Sequence, residues 1–95
     1  MKLNNIEKLN VQGYQFLLED KSEDALHCFK EGLDIEPNNP VLLNNLGNAL
    51  FNLEKYDEAE EAYQQVISVD STYSKSYKNL ALLYQKQGST EMGMQ

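Results

Sequence analysis

The chain has 95 residues, 41% of them hydrophobic, and a net charge of −7. This length makes one small domain, and no apolar run nears the ~20 residues of a membrane span. All eight basic residues are lysines, the wrong overall sign for releasing phosphate counterions, which sets nucleic-acid binding aside.

Apolar spacing predicts five helices, at about 4–19, 22–35, 39–52, 56–69 and 73–87. The first carries Leu9, Gly13 and Phe16 on one face. The second follows Ser22 and holds Ala25, Phe29, Leu33 and Ile35, with Glu23 and Asp24 near its positive end. "EPNNP" (36–40) stops it, and Pro40 opens the third helix, where Val41, Leu42, Leu43, Leu46 and Leu50 repeat the apolar face. After "NLEKY", Ala59, Tyr63, Val66 and Ile67 rebuild such a face behind Asp57 and Glu58. The fifth begins near Ser74 and offers Tyr77, Leu80, Leu83 and Tyr84. "GSTEMGMQ" beyond it reads as poor helix. Met92 and Met94 either fold back over that apolar strip or leave it uncovered.

A shift of 34 residues lays Leu9 on Leu43 and Tyr77, and Gly13 on Gly47 and Ala81. Phe16 falls on Leu50 and Tyr84, Ala25 on Ala59, and Phe29 on Tyr63. A fixed period of this size marks a solenoid. The short links force antiparallel αα-hairpins. The expected architecture is all-α, with two full helix pairs plus a fifth helix, in a single domain over 1–95. The repeats run over about 6–39, 40–73 and a partial 74–95. Glycine inside a helix costs roughly 1 kcal/mol against alanine. Gly47 is therefore expected to face Ala59, so that paired backbones approach closely.

Leu43-x2-Leu46-Gly47-x2-Leu50 followed by Ala59-x3-Tyr63 resembles the tetratricopeptide repeat. Leu9-x2-Gln12-Gly13-x2-Phe16 with Ala25-x3-Phe29, and Tyr77-x2-Leu80-Ala81-x2-Tyr84, resemble it too. The resemblance covers roughly residues 6–87. It implies a helical solenoid in which the first helix of each pair lines a concave groove.

Chemistry beyond binding finds little support. His27 is the only histidine, and it neighbours Cys28 on a helix, where adjacent side chains point ~100° apart. Neither a metal site nor a nucleophile–base pair follows, no glycine-rich phosphate loop is present, and no cofactor is expected. The lone Cys28 reads as a small semi-buried filler and fits a reducing, cytoplasmic compartment.

The groove residues are then read by helix. The first offers Asn10 and Tyr14, with Glu7, Val11 and Leu18. The third offers Asn44, Asn45, Asn48 and Asn52, with Val41. The fifth offers Lys75, Lys78, Asn79, Leu82 and Lys86. Asparagine both donates and accepts, which suits the backbone of an extended peptide. Residues 1–71 hold five lysines against fourteen acids, a net of −9, whereas 72–95 hold three lysines against one, a net of +2. The expected partner is thus another protein or peptide with an acidic segment or a terminal carboxylate. Carboxylate-binding members of the family place lysine and asparagine on the first groove helix, asparagine on the second, and lysine and arginine on the third. The corresponding positions here are Asn10, Tyr14, Asn45, Lys75 and Asn79, of which only Asn45 and Lys75 match. The lost lysine and arginine remove two charge-assisted bonds of roughly 1.5–3 kcal/mol each, which argues against a chaperone-tail clamp. The rival reading is self-assembly into a homo-oligomer through Leu80, Leu83 and Tyr84, with a fragment of a longer repeat array as a third alternative.

Overall fold

Asn4 starts the first helix through a capping box: its side chain accepts from the Glu7 backbone N–H, and the Glu7 carboxylate reaches back. Five α-helices follow in the computed structural model, which describes residues 3–93: α1 (Asn5–Leu18), α2 (Ser22–Ile35), α3 (Pro40–Asn52), α4 (Tyr56–Val69) and α5 (Ser74–Gly93). Asn39 caps α3, accepting from the Leu42 N–H at 3.1 Å, with Pro40 in the first turn where a missing N–H costs nothing.

The two hairpin links are copies of each other. Asp20 and Glu54 sit in the left-handed region, at φ 61° and 62°. Around them the Lys21 N–H donates to Phe16 O at 2.8 Å, and the Lys55 N–H to Leu50 O at 2.9 Å. The Asp20 and Glu54 N–H groups donate to Leu17 O and Phe51 O. This is the Schellman closure, which satisfies the helix-end carbonyls and reverses the chain within a few residues. The helices α2 and α4 follow directly, so α1 packs on α2 and α3 on α4.

The core is Ala25, Phe29, Leu42, Leu50, Ala59, Tyr63 and Leu83 with their neighbours. It corrects the expected role of Gly47. A Cβ on Gly47 would stand 2.5 Å from Tyr63 Cε1, and one on Gly13 would stand 2.5 Å from Phe29 Cε1. Each glycine therefore makes room for the aromatic ring of its own pair: the three atoms nearest to a Cβ on Gly47 all belong to Tyr63, while Ala59 is fully buried. The α2–α3 junction uses the same device on a smaller scale: Leu42 Cδ1 would lie 2.8 Å from a Cβ on Gly32.

Helix α5 also departs from expectation. It runs on to Gly93 rather than ending near 87, so residues 88–93 continue the helix instead of folding back; Met94 lies outside the described residues. Among the described residues nothing stands within 4 Å of a Cβ at Gly88. Among the described residues no helix is long and apolar enough to cross a membrane.

Candidate functional site

Helices α1, α3 and α5 line one side of the molecule and leave a groove of about 400 Å³ between them. Its lining includes Asn10 and Tyr14 from α1, Asn44, Asn45 and Asn48 from α3, and Lys75, Lys78 and Asn79 from α5. With Val41, nine of the residues expected from sequence thus meet in one concavity. The helical period explains why, since residues three and four apart share a face and the three helices present equivalent faces.

The asparagines do not all wait for a ligand. Asn45 Nδ2 donates to Asn10 Oδ1 at 2.6 Å, joining α3 to α1. Asn44 is buried, and its Oδ1 accepts from Ser76 Oγ at 2.8 Å and from Asn79 Nδ2 at 3.1 Å. Asn48 Oδ1 accepts from Tyr63 Oη at 2.6 Å and from Asn79 Nδ2 at 3.1 Å. The expected row of open asparagines is therefore a polar seam that ties the first helices of successive repeats together. Asn44 works inside that seam rather than at the ligand face. Ser76, fully buried, was missed from sequence. The available signal was its place 34 residues after Leu42, a core position where a serine hydroxyl requires a partner.

The charge is open where the amides are closed. Neither Lys75 nor Lys78 forms an ion pair among the described residues. Further along the groove the surface turns apolar. Phe51 and the half-exposed Leu82 meet there beside Asn48, Asn52 and Asn79, and Lys86 adjoins the same stretch.

The expected self-association strip needs correction. Leu80 and Leu83 are buried, at 8% and 0% exposure, because α4 and α3 already cover them. Tyr84 remains 47% exposed, as does Tyr77 at 48%. In the middle repeat these two positions are Leu50 and Leu43, which are buried within a helix pair.

Cys28 is buried, and that burial, with Glu31 and Asp24 nearby, raises its thiol above the ordinary range and keeps it unreactive.

Residues 40–73 match the family model of the tetratricopeptide repeat. The RNA polymerase II-associated protein 3 of Mus musculus is 35% identical over 69 residues, which are 73% of this chain and 10% of that protein. The peroxisomal targeting signal receptor of Candida albicans is 30% identical over 70 residues, 74% of this chain and 12% of the receptor. The chain thus spans about a tenth of the length of these relatives. The second tetratricopeptide domain of Spaghetti (RPAP3), bound to the HSP90 peptide SRMEEVD, superposes with a TM-score of 0.83 at 28% identity, covering 90% of this chain and 80% of that one. The second such domain of human RPAP3, in complex with the HSP70 peptide SGPTIEEVD, gives 0.77 at 28% identity, covering 88% and 70%.

Proposed function

We propose that this chain, a member of the tetratricopeptide repeat family, is a non-enzymatic interaction module that holds an extended acidic peptide segment across α1, α3 and α5. The observation that carries this reading is the pair Lys75 and Lys78, on the wall of a groove and without ion-pair partners among the described residues. A protein of net charge −7 that keeps unpaired cations in an amide-lined concavity repels acidic ligands elsewhere and attracts them there. The neighbouring domains that hold SRMEEVD and SGPTIEEVD support the same class of ligand, since both peptides end in acidic residues.

The contacts divide by chemistry. Lys75 and Lys78 take carboxylates. Asn10, Asn45, Asn48 and Asn79 keep spare amide hydrogens or oxygens for the peptide backbone. Leu82 and Phe51, with Asn52 and Lys86 beside them, receive an apolar side chain, and Tyr14 flanks the other end. The repeats at 6–39, 40–73 and 74–95 act together as one unit in a cytoplasmic setting, within which the single thiol stays reduced.

Fluorescence anisotropy with labelled SRMEEVD tests this. Lys75→Glu and Lys78→Glu are each expected to weaken binding about tenfold or more, an effect that shrinks in high salt. Unchanged affinity in both would remove the electrostatic basis of the reading.

Self-association is favoured by a different observation, the exposed Tyr77 and Tyr84 on α5. It requires a mass that rises with concentration and falls back to one chain in Tyr84→Glu, measured by analytical ultracentrifugation.

A further inference from the structure

The two complete helix pairs share a packing device and differ at the tip of one side chain. The Phe29 ring fills the space beside Gly13, and the Tyr63 ring fills the space beside Gly47, with the same 2.5 Å closeness to a notional Cβ. Both rings are buried, at 0% and 1% exposure. The Tyr63 hydroxyl therefore contributes nothing to a fit that phenylalanine achieves equally. A buried hydroxyl costs stability unless a partner replaces water. Its partner is Asn48 Oδ1, 2.6 Å away on the groove helix α3. The first pair carries Tyr14 at the position equivalent to Asn48, so it has neither end of this link.

An asparagine amide presents an oxygen on one side and an NH2 group on the other, and its neighbours decide which faces a ligand. Two donors converge on Asn48 Oδ1: Tyr63 Oη, and Asn79 Nδ2 at 3.1 Å. Reversing the amide would set its NH2 against the Asn79 Nδ2 donor, and the Tyr63 hydroxyl, which can also accept, would have to give up its donor role. Burial pushes the Tyr63 phenol well above the usual tyrosine range, so it keeps its proton and remains a donor. Asn48 meanwhile lines both the cationic and the apolar parts of the groove.

We infer that Tyr63 is a positioning residue for the groove: its hydroxyl, together with the Asn79 amide, holds Asn48 with Nδ2 turned outward, a fixed donor to a carbonyl or carboxylate oxygen of the bound peptide. The inference rests on the peptide-binding reading and adds a specificity to it. Between the lysines and the apolar stretch, the groove accepts a ligand oxygen and rejects a ligand N–H.

The test uses labelled SRMEEVD on the wild type, Tyr63→Phe, Asn48→Ala, the double variant and Asn48→Asp, with a melting curve for each. Tyr63→Phe reproduces the ring of the first pair and is expected to stay folded while binding about three- to tenfold more weakly. The double variant should bind no more weakly than Asn48→Ala, because one residue acts through the other. Asn48→Asp keeps an acceptor for Tyr63 but turns an oxygen to the groove, so it should lose more than about tenfold in affinity at near wild-type Tm. Wild-type affinity in Tyr63→Phe, or losses that simply add, would overturn the inference.

The melting curves judge the link without any peptide. The Tm loss of Tyr63→Phe should vanish in the Asn48→Ala background, and an undiminished loss there overturns the inference even if SRMEEVD binds. A wild type that ignores the peptide at about 1 mM overturns the peptide-binding reading, and with it the ligand half of this inference.

Discussion

The helix pairs α1–α2 and α3–α4 share one plan, yet only in the second does the packed ring reach a groove side chain. They have helices of 14 and 14 residues against 13 and 14, a left-handed residue at the same place in the link and the same glycine-to-ring contact. In the first pair the ring is Phe29, and its role ends with packing. In the second the ring is Tyr63, whose hydroxyl joins Asn48 and so connects the apolar interior to the polar seam. The difference teaches that a repeat keeps its fold through the ring and the glycine, and gains function through the atoms that packing does not need.

Ring removal is the strongest test of that comparison. Phe29→Ala and Tyr63→Ala should each cost about 3–5 kcal/mol, measured by denaturant unfolding. Tyr63→Ala should be the worse of the two, because it also removes one of the two donors on Asn48. Equal costs would mean that the hydroxyl link is energetically silent.

Next in size is the glycine under each ring. Gly13→Ala and Gly47→Ala gain roughly 1 kcal/mol of helix propensity but drive a Cβ into an aromatic edge, and overpacking of about 1–3 kcal/mol should outweigh it. Gly47→Ala should be the costlier variant, since the Tyr63 ring is tethered at its far end and Phe29 is free to tilt. A gain in Tm at Gly47 would remove the close contact as the reason for the glycine.

The links should respond in the opposite direction. Glu54→Gly relieves a left-handed residue and is expected to stabilise by about 1 kcal/mol. Asp20→Gly should gain less, because aspartate tolerates that conformation better.

The smallest effect is silent at neutral pH. Burial raises the Tyr63 phenol, so the stability linked to its proton is fully present below the unfolded value of about 10 and is lost as pH climbs past it. Alkaline unfolding should therefore begin at lower pH in the wild type than in Tyr63→Phe, after correction for their difference at pH 7. Coincident profiles would show that the phenol is not burdened by burial.

Much of this molecule was legible as a pattern. The second and fourth helices begin and end where apolar spacing placed them, at 22–35 and 56–69, and α1 and α3 differ from expectation by a residue at their ends. The groove face was legible as well, because helical phase alone puts Asn10, Asn45 and Asn48 on equivalent sides. Helix α5 runs past its expected end: "GSTEMGMQ", with Gly88 and Gly93, reads as poor helix. Each costs only about 1 kcal/mol, less than the cooperative hydrogen bonding that carries a helix onward when no proline or neighbouring element turns it.

The sequence by itself determined the all-α plan, the 34-residue repeat and the concentration of lysines on the last groove helix, because these depend on local spacing and charge. Tertiary structure alone decided which partner each side chain took. Gly47 could face Ala59 or Tyr63 on spacing grounds, and only the approach of α4 to α3 selects the ring. Asn44 and Asn48 carry the same chemistry four residues apart. The arrival of Ser76 and Asn79 from α5 buries one in the seam, and the Tyr63 hydroxyl turns the other toward the groove. A hydrogen bond joins residues 15 to 35 positions apart here, so its existence depends on distances that no local pattern contains.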